Sequence, residues 1–159
     1  MRVEQLMTRI VHSCGPDDTL NRAAHLMWEH DCGCTPVVDA ENHLVGIVTD
    51  RDIAMAAYTQ GKRFEEIRIG NVMSRKTHTC GQTETLAIAE GRMRENQVRR
   101  LPVTDATGFL VGLISMNDLA LEAKREQGAR HPSIKASDVA ETLASICRHR
   151  GHDQLMAAE

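Results

Sequence analysis

Apolar and polar positions alternate along this chain with two periods. In DDTLNRAAHLMWEHD, Leu20, Ala23, Ala24, Met27 and Trp28 fall at i, i+3, i+4, i+7 and i+8. That is the stripe of an amphipathic helix, and Asp18 or Thr19 stands where its N-cap belongs. Ahead of it, IVHSC (10–14) is a short β-branched stretch ended by Gly15-Pro16, which predicts a strand. After it, TPVVD (35–39) predicts a strand that Pro36 places near an edge or a strand start. AENH then reads as a turn, LVGIVT (44–49) as the second strand of a hairpin, and DRDIAMAAYTQG as a helix ended by Gly61.

The whole pattern is written twice. An offset of 66 positions carries Met7 onto Met73 without a gap. It also superposes Cys14-Gly15 on Cys80-Gly81, Thr19-Leu20 on Thr85-Leu86, Pro36-Val37 on Pro102-Val103, Leu44-Val45-Gly46 on Leu110-Val111-Gly112, and Asp52 on Asp118. The second unit therefore predicts strand 77–80, helix 84–96, strand 101–104, turn 105–108, strand 109–114 and helix 117–127. Each unit is β-α-β-β-α. One unit cannot cover its own small sheet, so the expectation is a mixed α/β (α+β) fold in which two units pack sheet to sheet about a pseudo-twofold axis. Residues 1–60 form the first repeat, 61–72 a linker, 73–127 the second repeat, and 128–159 a loop and a C-terminal helix. That helix, SDVAETLASICRHR, has Ser137 or Asp138 as cap and Val139, Leu143 and Ile146 on one face. It is expected to dock on the module or on a second subunit.

Composition narrows the function. With 159 residues, 42% hydrophobic and 26% charged, the chain has apolar material for a core. Aromatics are only 3% and the net charge is −3, which count against base stacking and bulk electrostatic binding of nucleic acid. No apolar run approaches the roughly 20 residues of a membrane span, and the start lacks a secretory h-region. A cytoplasmic protein with reduced thiols is expected, since five cysteines do not form a secreted disulfide framework.

The phrases VGIVTDRDIA (45–54) and VGLISMNDLA (111–120) carry the candidate chemistry. Each runs from a strand into a helix through [Ser/Thr]-x-x-Asp. The plainest reading is a capping box. The same geometry also suits a ligand, because a helix N-terminus offers N–H groups to an anion and an Asp one turn in can accept from ribose hydroxyls. Gly46 would let a backbone approach closely.

Together with Leu-Met-Thr at 6–8, Val-Met-Ser at 72–74 and RRLPVTD at 99–105, these phrases make residues 1–125 resemble a tandem pair of CBS domains, the cystathionine-beta-synthase-type regulatory repeat. The resemblance implies a disc-like module with two clefts that commonly take adenine nucleotides, and association into a homodimer. It assigns the ribose-phosphate to Thr49 and Asp52, and to Ser115 and Asp118. It further implies that the repeats cross over. Asp52 would then share a cleft with Thr77, His78, Thr79, Arg99, Arg100 and Pro102, beside Arg51. Asp118 would share one with Val11, His12, Ser13, Gly33 and Cys34. Three guanidiniums against none predicts that the Asp52 cleft holds phosphates better.

The function expected is thus a non-catalytic regulatory module. It binds AMP, ADP, ATP or NAD as ligand, with no catalytic cofactor, and acts on an unknown partner protein. The alternative is a metal- or thiol-responsive stress protein with degenerate clefts. Its metal candidates are His12, Cys14, His78 and Cys80, with Cys32, Cys34 and Cys147-x-His149-x-x-His152 behind them. None has the paired C-x₂-C spacing of a zinc ribbon, and no structural metal is expected. A third reading, hydrolysis of the bound nucleotide, finds no nucleophile motif, Walker loop or H-E-x-x-H to support it.

Overall fold

The computed structural model describes residues 1–148. In the first repeat, α1 (Leu20–Glu29), β1 (Cys34–Val38), β2 (Leu44–Thr49) and α2 (Asp50–Gln60) follow in the expected order. The second repeats them as β3 (Cys80–Gly81), α3 (Leu86–Asn96), β4 (Arg100–Thr104), β5 (Leu110–Ser115) and α4 (Met116–Arg125), and α5 (Ala136–Cys147) closes the described chain. Thr19 and Thr85 each cap their helix by accepting the N–H of the third residue on. Gly61 ends α2 in the left-handed region at φ 60°, where a side chain would be strained.

The first repeat's helix stripe and the leading strands need correction. Trp28 is not part of the buried stripe of α1: it is 87% exposed, and Leu26 is buried with Leu20, Ala23 and Met27 instead. The first strands are shorter than predicted. Of residues 10–14 only Cys14 pairs, parallel to Val37, donating its N–H to Pro36 O at 3.1 Å and accepting from Val38 N–H at 2.9 Å. Ile10 is 79% exposed, so the β-branched start of that stretch has no core to enter. The strand predicted at 77–80 likewise shrinks to Cys80–Gly81, parallel to Val103–Thr104.

β1 and β2 form an antiparallel pair from Cys34↔Thr49 to Val37↔Gly46, with a slip before Val38. The other sheet has the order β3-β4-β5. The chain divides into two compact units, one of Met1–Met7, Thr83–Leu101 and Ile114–Glu159, the other of Thr8–Gln82 and Pro102–Leu113. In the second unit the hairpin turns of the two repeats meet. Leu44 N–H donates to Gly108 O and Leu110 N–H to Asn42 O, both at 3.1 Å. Asn42 and Gly108 occupy equivalent positions and both take positive φ, 65° and 89°.

The short segments that lead into each repeat are exchanged. Within one unit, Leu86 N–H donates to Met1 O (3.3 Å) and Val3 N–H to Glu84 O (2.9 Å). Within the other, Leu20 N–H donates to Ile67 O and Ile69 N–H to Asp18 O, both at 2.9 Å. The start of the chain thus serves the second repeat, and 67–73 serves the first, where Ile67, Ile69 and Met73 join the core of Leu20, Val37, Val48 and Ile53. Gly46 makes this possible. A Cβ there would lie 2.5 Å from Met73 Sδ and 3.1 Å from Ser74 O, and the crossing is fastened by paired bonds between Ile47 and Ser74. The close approach expected at Gly46 is therefore to the protein's own backbone.

α5 packs on α3 and α4, so it docks on the module. Its N-cap is Lys135 rather than Ser137 or Asp138; the helix starts earlier, and Asp138 accepts from Lys135 N–H at 3.3 Å. The side chain it buries completely is Thr142, whose hydroxyl bonds the buried Glu90 carboxylate, whereas Leu143 is 44% exposed. Gln97 Nε2 donates to Ser145 O at 3.0 Å, Ser145 Oγ to Arg94 O at 3.3 Å, and Arg94 faces Glu141 at 3.6 Å. Among the described residues no helix is long and apolar enough to cross a membrane.

Candidate ligand-binding site

The two [Ser/Thr]-x-x-Asp turns adopt the same geometry. At the end of β2, Thr49 is extended (φ −117°, ψ 164°), so that its side chain turns back over the first helical N–H groups of α2. Its hydroxyl donates to Asp52 Oδ2 at 2.7 Å and its N–H donates to the same oxygen at 2.9 Å; Asp52 N–H donates back to Thr49 Oγ1 at 3.3 Å. Ser115 and Asp118 repeat these bonds at the start of α4, at 2.7, 2.8 and 3.4 Å. Both carboxylates are half-buried and fixed through Oδ2. Among the described residues no hydrogen bond falls on Oδ1 of either. A helix N-terminus of α2's or α4's length, with a carboxylate held one turn in, presents N–H groups beside an oriented acceptor.

The main chain just before each Pro strand sits at these turns. Asp50 N–H donates to Gly33 O at 3.3 Å, and Cys34 stands opposite Thr49 in the β1–β2 register. In the other unit Met116 N–H donates to Arg99 O at 2.9 Å. Arg51 and Arg99 are exposed, Arg100 is half-buried, and Pro102 is buried in β4. Thr77, His78 and Thr79 are half-buried in the unit that holds Thr49 and Asp52. Val11, His12, Ser13, Gly33 and Cys34 belong to that same unit, while Arg99, Arg100, Ser115 and Asp118 belong to the other.

Three features escaped the sequence. His12 stacks on His30, ring centroids 3.4 Å apart and planes within 4°. Asp39, Glu41 and His43 bring donor atoms within 4.8 Å of one another. That cluster follows from the turn itself: Asp39 Oδ1 accepts from Glu41 N–H and His43 N–H, and Asp105 Oδ1 makes the same turn with Thr107 and Phe109, which are not ligand types. Third, Thr35 is wholly buried, and its hydroxyl has no partner among the described residues. Only the offset of 66 positions signals it, by placing Thr35 where the second repeat has Leu101.

Of the metal candidates, Cys14 and Cys80 are buried. Burial, reinforced by Asp18 and partly offset by Arg22, pushes the Cys14 thiol up to about 11. That holds it as a neutral thiol and a poor nucleophile. His149 and His152 lie outside the described residues.

Comparison with known proteins places the chain in a family. Residues 3–58 and 69–124 each match the family described as CBS domain. The chain is 35% identical over 127 residues to the CBS domain-containing protein YhcV of Bacillus subtilis (strain 168), covering 80% of this chain and 89% of that protein. It is similar to the structure of CBSX2 in complex with AMP, at 25% identity and TM-score 0.70, over 79% of this chain and 98% of that one. It is also similar to Hypoxic Response Protein I with two coordinated zinc ions, at 29% identity and TM-score 0.69, over 76% of this chain and 98% of that one.

Proposed function

The chain belongs to the CBS-domain family, carrying the domain twice, and from that premise we propose that it is a regulatory module whose ligand is an adenine nucleotide: AMP, ADP, ATP or NAD. The observation that carries the reading is the duplicated turn, in which Asp52 and Asp118 are each oriented through Oδ2 beside a helix N-terminus. A ribose diol can donate to the other oxygen, and a phosphate suits the N–H groups. The AMP complex of CBSX2 supports the ligand class. Residues proposed to line the nucleotide are Thr49, Arg51, Asp52 and Thr77 to Thr79 at the first turn, and Ser115 and Asp118 at the second. Arg51 supplies a guanidinium for phosphate at the first turn, where the second has Asn117, and this makes the Asp52 turn the stronger binder.

No chemistry is proposed on the nucleotide. A ligand that binds two shapes of a homodimer unequally shifts their populations, and a partner protein reads the shift. Isothermal titration of the metal-stripped protein with AMP, ATP, NAD and S-adenosylmethionine tests this. Saturable binding that favours the phosphate-bearing compounds is expected, and no heat with any of them overturns the reading. Zinc in Hypoxic Response Protein I favours one second reading, a metal-responsive protein on the same fold. It requires stoichiometric metal in the protein before stripping.

A further inference from the structure

The chain has one tryptophan and one tyrosine, and the fold leaves both on its surface. Trp28 on α1 is 87% exposed and Tyr58 on α2 is 83% exposed, and α1 packs against α2. Such rings are enriched where one protein surface meets another. The second repeat has no such face. By the offset of 66 positions, Arg94 and Lys124 stand in place of the two rings. There the chain supplies a cover of its own. α5 lies on α3 and α4, its Glu141 facing Arg94 and its Thr142 bonding Glu90. Glu90 corresponds to Ala24 in the first repeat, which has no atom to take up that bond. The segment after α2 forms no equivalent helix, and its Ile67 and Ile69 enter the first repeat's core instead.

Two features fit this face to a copy of itself. Each ring stands one turn after a small residue, Ala24 before Trp28 and Ala54 before Tyr58, and residues at i and i+4 are neighbours on a helix side. A twofold axis across α1 runs the helix antiparallel to its copy and lays each Trp28 over the other's Ala24, a large side chain on a small one. The same crossing turns the exposed Arg22 of each copy toward the exposed Glu29 of the other. The area also suffices. Aromatic side chains bury about 150–250 Å² each, so the four rings of a pair supply about half of the roughly 1,600 Å² of a standard interface. We propose that a second copy of this chain docks on the α1–α2 face through Trp28 and Tyr58, and that α5, by covering α3, confines the pairing to the first repeat. The proposal rests on the homodimer of the reading above, though not on its nucleotide.

Sedimentation velocity of the full chain over a concentration series, without nucleotide, tests it, and the sole tryptophan gives a second readout. The parent is expected to sediment as a dimer, with Trp28 emission moving to the blue as concentration rises through the dissociation constant. Trp28→Arg with Tyr58→Lys gives the first repeat the second repeat's residues. It is expected to weaken pairing about a hundredfold or more, with the parent's circular dichroism, because both side chains are exposed. Should that variant not fold, Ala54→Glu, which places a charge in the hollow, carries the same test. Leu121→Lys, at a position 68% exposed on α4, is expected to leave the dimer intact. A parent that stays monomeric, a double variant that pairs like the parent, or dissociation by Leu121→Lys overturns the proposal. Titration of AMP into the parent decides the ligand separately: a monomer that binds AMP sinks the pairing alone, and a dimer that does not bind it sinks the nucleotide alone.

Discussion

The two repeats share a backbone frame and differ in what they hang on it. Thr35 and Leu101 occupy the same strand position and both are wholly buried, yet one is a hydroxyl without a partner among the described residues and the other an aliphatic side chain. At the outer face of the helices, the first repeat exposes Trp28 (87%) and Tyr58 (83%). The second has Arg94 and Lys124 at those places, and Arg94 faces Glu141 on α5. The cap geometry, by contrast, is the same to within about a tenth of an ångström in both. What has been kept is the turn that orients a carboxylate. What has diverged is the cover over the helices and the polarity of the core.

That contrast can be broken at several points. The largest effect is expected at the exchanged lead segments. Ile69→Ala removes a side chain with no exposure and should cost about 2–5 kcal/mol in chemical denaturation. Val3→Ala, its equivalent, should cost less, by about 1 kcal/mol for the smaller side chain. If 67–73 were merely a tether, Ile69→Ala would change little. Next comes the core itself. Thr35→Val is expected to stabilise by about 1 kcal/mol, because it removes a desolvated hydroxyl while keeping its shape, and Leu101→Thr to destabilise.

A pH effect is tied to Cys14. Its thiol is raised in the fold to about 11, above the ordinary cysteine value, so the native state holds the proton more tightly than the unfolded chain. The stability this contributes is complete below the unfolded value and is lost as pH rises through the folded one. Denaturation midpoints should therefore fall between about pH 9 and pH 11, and less so in Cys14→Ala. Smallest of all is Glu141→Ala. The pair it breaks is 41% and 73% exposed, so under about 0.5 kcal/mol is expected. Thr142→Val, which strips the buried Glu90 of its partner, should cost more.

Much of the frame is legible before folding is considered. β2 and the end of α2 follow from LVGIVT and from Gly61, since β-branched alternation and a left-handed glycine are local signals. The exchange of the lead segments is not legible, because pairing Val3 with Glu84 depends on long-range geometry rather than on period. Trp28 misleads because it continues the helical spacing to the end of α1, where its side chain is off the core and Leu26 is buried instead. α5 departs at one position: Val139 and Ile146 are half-buried as a hydrophobic stripe requires, but Thr142, which bonds the buried Glu90, takes the inward place between them and Leu143 is exposed. At the site, the residues Thr49, Asp52, Ser115 and Asp118 are readable as a repeated motif. Which atom donates to which is not.

The most direct test of the account is to titrate AMP into the parent chain, Asp52→Ala and Asp118→Ala side by side, reading affinity and stoichiometry. The account predicts saturable binding whose tighter site Asp52→Ala weakens about ten- to a hundredfold, since a lost charged hydrogen bond is worth about 1.5–3 kcal/mol, while Asp118→Ala retains that site. Binding unchanged in both variants would contradict it, and would leave the repeated phrase as a pair of helix caps.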